Sequence, residues 1–175
     1  MTQSRITVRP ARPSDIPAIY AISKSLTLTY PAEADTAKGF LVSGFGLETY
    51  RQFLTDTDLF FVIADKDKIA GFLLGFKDNR ISRDIPVVRN IRRIQHTPFI
   101  LCKQICVARE HTRKGLTASL YRHLMRKVDG TPIYASIVLE PENTASIRAH
   151  EKLGFRKQFE YIDSDHMRKG VWRSG

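Results

Sequence analysis

Apolar positions along this chain switch between two periods, and the switches lay out its elements. Ile6, Thr7, Val8 and Arg9 alternate as a short edge strand does, and Pro10 and Pro13 stop it. Ile16, Ile19, Tyr20 and Ile22 then recur at helical spacing behind Ser14 as a cap, with Asp15 and Pro17 in the first turn. A second helical region is expected from Asp35 to Leu54. Gly39, Gly44 and Gly46 break its first part and leave residues 47–54 as the better helix. Residues 59–64 and 69–76 are apolar on both faces around the turn 65–68, which predicts a hairpin of central strands covered by helices on each side. Further strands are expected at 98–107 and 132–139, with 155–162 and 166–172 closing as an antiparallel pair. Helices are expected at 114–128, where Leu116, Leu120, Leu124 and Val128 repeat every four residues, and at 143–153. This order makes a mixed α/β sheet with helices on both faces.

At 175 residues and 42% hydrophobic content the chain can bury a core, and its length fits one domain. No apolar run reaches membrane-spanning length, and Arg5, Arg9 and Arg12 interrupt the start, so a cytoplasmic location without a membrane partner is expected. Cys102 and Cys106 are too few for a disulfide framework and lack paired zinc spacing. Four apart in an apolar strand, they are expected on one side of it as buried free thiols. The five histidines are scattered, so no metal is expected. A net charge of +10 calls for a polyanionic ligand or partner. Lys77, Arg80, Arg83, Arg89, Arg92 and Arg93 crowd the connection ahead of the 98–107 strand, against Asp78 and Asp84. They read as a solvated loop first, and as a nucleic-acid or acidic-surface patch second.

Two segments carry chemistry. In the first, the strand ending at Val107 turns through a polar corner into a helix whose start holds Thr112, Arg113, Lys114, Gly115, Leu116, Thr117 and Ala118. A helix start offers unpaired N–H groups and the positive end of the macrodipole, and a glycine there lets an anion approach the backbone. In the second, Asn143, Ser146 and His150 fall at offsets of three and four on one helix face, and Leu153, Gly154 and Phe155 follow. Asn143 is first of all a good N-cap.

The first segment resembles the acetyl-CoA pyrophosphate loop of the GNAT superfamily of N-acetyltransferases, Arg/Gln-x-x-Gly-x-Gly/Ala. Thr112 and Thr117 stand at the two outer signature positions, and Gly115 matches the central one. The second resembles the GNAT segment that ends in Leu-Gly-Phe. His150 replaces the commoner tyrosine, as in the phosphinothricin acetyltransferase branch. The resemblance implies the GNAT fold: a mixed, mostly antiparallel sheet of about seven strands, splayed in a V between its two central parallel strands. It implies acetyl-CoA as the acetyl donor. Backbone groups of Ile105, Cys106 and Val107 would pair with the pantetheine arm, N–H groups from Arg113 to Ala118 would hold the diphosphate, and Asn143 and Ser146 would face the cofactor. Arg109, Arg122 and Arg148 are looser phosphate candidates. His150 would be the general acid toward the thiolate. Glu140, with Glu142 beside it, is the candidate base, although an ordered-water relay would need neither.

The expected activity is acetyl transfer from acetyl-CoA to a primary amine by direct attack in a ternary complex. The acceptor is a small molecule or a peptide, set by the loops 30–45 and 77–96, and the basic residues of the second loop suit an acidic one. The alternative is a non-catalytic acyl-CoA-binding or basic nucleic-acid-binding module on the same fold. A homodimer stays open.

Overall fold

The computed structural model describes residues 6–29 and 37–175, so Arg5 and the start of the expected 35–54 helical region lie outside the described residues. The elements run β1 (Ile6–Pro10), α1 (Ile16–Leu26), α2 (Leu47–Asp56), β2 (Phe60–Asp65), β3 (Lys68–Lys77), α3 (Pro86–Arg92), β4 (Ile100–Val107), α4 (Leu116–Val128), β5 (Ile133–Val138), α5 (Thr144–Lys152), β6 (Arg156–Ile162) and β7 (Arg168–Arg173). The strands form one sheet in the order β1-β2-β3-β4-β5-β7-β6. All neighbours pair antiparallel except β4 and β5, which run parallel at the centre. Among the described residues, no helix is long and apolar enough to cross a membrane.

Helices cover both faces, as the two-sided apolar strands require. On one face Leu116, Leu120, Tyr121 and Leu124 of α4 pack on Phe61, Ile63, Leu73, Ile100, Cys102, Ile133, Ala135 and Ile137. Ile147 of α5 joins this layer. On the other, α1 and α2 bury Ile16, Ile19, Ile22, Leu26 and Tyr50 against Phe60, Val62, Phe72, Leu74 and Cys106. The element that the sequence reading missed is α3, placed in the basic connection. Pro86 opens it in the first turn, and Val87, Val88 and Ile91 pack on Phe99, Leu101, Tyr134 and Val171. Seven residues give too short a stripe to stand out among six cations.

One irregularity in β4 decides where side chains point. Gly75 pairs with Cys102 and Leu74 with Gln104, so Lys103 is the extra residue of a β-bulge. Facing parity flips across it: Cys102 sits in the α4 layer and Cys106 in the α1/α2 layer. Both cysteines are buried and free, as expected, but they lie on opposite faces of the sheet because a strand's strict alternation stops at the bulge. Burial pushes the Cys102 thiol up to about 12 and raises Cys106 as well, so both stay protonated.

The start of the fold is pinned by a charge pair. The Asp15 carboxylate accepts from Arg9 Nη1 at 2.6 Å, from Arg9 Nη2 at 2.9 Å and from the Arg12 N–H at 2.8 Å. It thereby closes a short 3₁₀ turn (Pro13–Asp15) ahead of α1, a role that the sequence suggested for Ser14. The hydrogen bond from Arg9 holds the Asp15 carboxyl below its ordinary pKa. A carboxyl lowered in the folded state stabilises above its unfolded pKa of about 3.9 and loses that contribution as pH falls through the folded value. Asp15→Asn is expected to cost about 1–3 kcal/mol at neutral pH and to flatten the acid limb of the stability profile, measured by denaturant melts from neutral to acid pH. An unchanged midpoint at neutral pH would contradict this role.

Candidate active site

The parallel pair at the sheet's centre is short. Ile100, Leu101 and Cys102 align with Ile133, Tyr134 and Ala135, and there the pairing ends. β4 runs on to Val107 beside β3, and β5 runs on to Val138 beside β7, so each has one edge without a partner strand. Unpaired strand edges present rows of N–H and C=O groups, and buried polar groups of this kind need partners. The cleft between the edges holds two cavities. The larger, about 700 Å³, is lined by Ile105, Cys106, Val107, Arg109, Thr112, Arg113 and Thr117, and by Asn143, Ser146 and His150 across the gap. The smaller, about 240 Å³, runs along the inner ends of β4 and β5 and shares Phe40, Leu41, Ile105, Asn143, Ser146 and His150 with the first.

The large cavity ends at α4. Gly115 is the N-cap of this helix in a left-handed conformation (φ 70°), no side chain caps the helix, and Arg113 is left-handed as well (φ 64°). A left-handed residue before a helix start turns successive N–H groups toward one concavity, and here the first N–H groups of a 13-residue helix stay open to an anion. A Cβ on Gly115 would meet nothing within 4 Å, so open space lies before the loop. Leu116 is core, Lys114 lies 3.4 Å from His111 Nδ1, and neither they nor Gly115 and Ala118 wall the cavity. Arg109 does, whereas Arg122 and Arg148 do not.

The opposite wall is built by α5. The Asn143 Oδ1 accepts from the Ser146 N–H at 3.3 Å as an N-cap, and its Nδ2 donates to the Phe40 carbonyl at 2.9 Å, tying the 37–45 loop across the mouth of the cleft. The helix ends on Gly154 (φ 86°), with Gly154 N–H on the Glu151 carbonyl and Phe155 N–H on the His150 carbonyl. This double closure is the Schellman arrangement, and it is the physical content of the Leu-Gly-Phe run. It turns Phe155 back onto His150 and Tyr121, at ring distances of 5.2 and 5.0 Å.

His150 is therefore enclosed, 2% exposed. Its Nδ1 lies 2.7 Å from the Ser146 carbonyl, which only accepts, so Nδ1 carries the proton and donates. Its Nε2 then accepts from the Tyr121 hydroxyl at 2.6 Å. Burial holds the imidazole below its ordinary pKa, with the Ser146 carbonyl opposing only in part. Burial raises the Tyr121 phenol well above its own, and the Cys102 thiol adds to this. A neutral histidine with both nitrogens engaged is not the free acid that the sequence suggested. The hydroxyl that lines the smaller cavity beside it belongs to Tyr121, which the sequence reading missed. Its signal was a phenol beside the Leu116–Leu120–Leu124 stripe of an otherwise aliphatic helix face.

Glu140 is corrected more fully. It lies exposed in an ion pair with Arg168 Nε at 3.0 Å, outside both cavities, because the turn after β5 carries it to solvent. The six cations of the basic connection do not line the cleft either. Lys77 pairs with Asp58, Arg92 pairs with Asp78, and only Ile85 and Val87 of that connection reach the smaller cavity.

The model of the acetyltransferase (GNAT) family matches residues 19–155. The chain belongs to the GNAT acetyltransferase family. No curated protein sequence matches it. Among solved structures, Arabidopsis thaliana NAA60 in complex with acetyl-CoA is 13% identical with a TM-score of 0.69, over 97% of this chain and 98% of that one. Ard1 from Thermoplasma volcanium is 18% identical with a TM-score of 0.68, over 96% and 95%. The ribosomal-protein-S18-alanine N-acetyltransferase from Escherichia coli is 17% identical with a TM-score of 0.64, over 97% and 93%. At these identities the likeness is one of fold, and the fold is the GNAT acetyltransferase fold with its open central pair.

In this GNAT acetyltransferase the His150 ring is expected to keep its Nδ1–H tautomer below about pH 6.5, where an ordinary imidazole is half protonated. Because its folded pKa is lowered, the unfolded chain takes up the proton first, and stability falls as pH drops from that point through the folded value. Ring ¹⁵N chemical shifts across a pH series check this. A titration midpoint at the ordinary imidazole value would show that the enclosure is not what the geometry describes.

Proposed function

We propose that this GNAT chain transfers an acetyl group from acetyl-CoA to a primary amine by direct attack in a ternary complex, and that the splayed cleft is its active site. One observation carries the reading: the unpaired edges of β4 and β5 lead directly to an uncapped helix start with a left-handed glycine. An extended chain of amides ending in a diphosphate fits such a slot. The strand edge supplies backbone pairing in the manner of an added strand, and the helix start supplies anion binding. That NAA60 was solved with acetyl-CoA on the same fold supports it. Residues 105–107 would pair with the pantetheine amides and residues 113–118 would hold the diphosphate. Thr112 and Thr117, which line the cavity, would offer hydroxyls in place of the family's usual residues. Asn143 and Ser146 would shape the far wall. The family match and a sheet that spans most of the chain favour reading it as a single domain.

Acetyl-CoA supplies the activated acyl group, and the chain's residues manage position and protons. The amine nitrogen must lose one proton as the amide forms, and the departing sulfur must gain one. We assign the sulfur's proton to the Tyr121 hydroxyl, which turns its one O–H from His150 Nε2 to the sulfur as the thiolate leaves and is reprotonated by the water that takes up the amine's proton. His150 is the positioning residue that holds the hydroxyl until then. The Asn-x-x-Ser-x-x-x-His run, like that of the phosphinothricin acetyltransferase branch, then serves to lock the histidine rather than to expose it. With Glu140 outside the cleft, ordered water is the better carrier of the amine's proton.

A free-thiol assay with acetyl-CoA and a panel of amines, run beside thermal melts, tests the proposal. Saturating acetyl-CoA should raise the wild-type Tm by mass action. Gly115→Glu should abolish the rise by placing bulk and negative charge at the helix start. Tyr121→Phe and His150→Phe should each lower kcat by about 10²- to 10⁴-fold with acetyl-CoA affinity nearly kept. An unchanged thermal shift in the glutamate variant, or wild-type turnover in both aromatic variants, would sink the assignment.

A further inference from the structure

The smaller cavity holds an ammonium with no ion-pair partner among the described residues. Lys103, the bulged residue of β4, lines it together with Lys169, Asp163, Tyr161 and Ser136. Lys169 is neutralised by Asp163 and Asp165, each at 2.7 Å. Burial works to raise the Asp163 carboxyl, and the Lys169 ammonium with the Ser164 N–H outweighs it, so Asp163 stays ionised. The Tyr161 hydroxyl shares a 2.8 Å hydrogen bond with Ser136 Oγ, and burial keeps the phenol neutral. Lys103 makes no ion pair among the described residues. Its ammonium lies 5.3 Å from the centre of the Phe45 ring, which places it without cancelling its charge.

A half-buried ammonium without a counter-charge is costly, and burial indeed lowers the Lys103 pKa, with Lys169 adding to this and Asp163 opposing it. The bulge makes the arrangement: a regular strand would send residue 103 into one of the two packed layers, and the extra residue turns it into the cleft instead. The cavity wall carries Lys103 and Lys169 against Asp163, and Asp165 on Lys169 brings this cluster to two cations and two carboxylates, with Lys103 as the cation that has no ion-pair partner. Its volume of about 240 Å³ is below the range typical of drug-sized ligands.

Resting on the acetyltransferase reading above, we propose that Lys103 is an anion-binding residue of the acceptor site, and that the acceptor is a small amine bearing one anionic group, a carboxylate or a phosphate. The anion pairs with Lys103 while the amine reaches toward the Tyr121 end of the same cavity. Acidic selectivity thereby rests on one lysine inside the cleft rather than on the cations of the 77–93 connection, which lie outside it.

The test uses the full chain, wild type, Lys103→Met and Lys103→Arg, with acetyl-CoA and matched acceptors: amino acids against their carboxamides, and aminoalkyl phosphates against the parent amino alcohols. Free thiol is followed for each pair, and the acetyl-CoA thermal shift is recorded for each protein. The wild type should favour the anionic member by about 10- to 100-fold in kcat/KM, the range of a hydrogen-bonded charge pair. Lys103→Met should collapse that ratio to within about threefold, and Lys103→Arg should keep most of it, with the acetyl-CoA shift alike in all three. The carboxylate and phosphate pairs show which anion is taken. The subsite is overturned by preference for the neutral members, by turnover of peptide amino termini regardless of charge, by a ratio kept in the methionine variant, or by silence of every anionic amine while acetyl-CoA still shifts Tm. Failure of the wild type to respond to acetyl-CoA would overturn the reading on which the subsite rests, and the subsite with it.

Discussion

Beyond Cys102 and Ala135, two central strands continue side by side without pairing, and the rest of the molecule is organised around that gap. Each strand keeps its outer partner, β3 for one and β7 for the other, so the sheet stays continuous while its middle opens. Helices α4 and α5 cannot close over the gap as they would over a regular sheet. α4 starts at one side with its first N–H groups uncapped, and α5 forms the far wall with its own N-cap tied to the 37–45 loop. The constraint is one of hydrogen bonding. Backbone groups removed from water need partners, and a gap of this kind is stable in function when a ligand with its own amides completes it.

The bulge at Lys103 sets what each part of the cleft can do. On its outer side β4 turns Ile105 and Val107 toward the α4 layer and Gln104 toward Tyr50, whose hydroxyl meets Gln104 Oε1 at 2.7 Å and Ser23 Oγ at 2.7 Å. That network locks the strand to α1 and α2 just where it leaves β5. On its inner side the bulge delivers an ammonium into the smaller cavity. One inserted residue therefore separates the stretch of β4 that borders the larger cavity from the lysine that lines the smaller one.

Much of the fold was legible because its signals were long. Two-sided apolar strands, the fourfold leucine spacing of α4 and the closing pair all follow from period and length, the mixed sheet follows from the order of elements, and the parallel centre came with the family resemblance. The helix start at Gly115 and the helix stop at Gly154 were legible because their glycines sit where the backbone is left-handed. What was not legible depends on contacts distant in sequence. Nothing local says that Tyr121 and Phe155 enclose His150, that Arg168 takes Glu140 out to solvent, or that the short α3 buries Val88 and Ile91 and lays Arg92 over Phe99 against Asp78. The bulge is the sharpest case. A lone lysine between Cys102 and Gln104 marks the place, yet only the β3 register shows that the alternation breaks there.

Amide hydrogen exchange, followed by mass spectrometry on the full chain with and without saturating acetyl-CoA, reads the central claim most directly. Protection concentrated at residues 104–107 and 113–118 is what the open strand edge and the uncapped helix predict, since those N–H groups would gain partners from the ligand. Binding that protects other segments and leaves these two exchanging as before would contradict it.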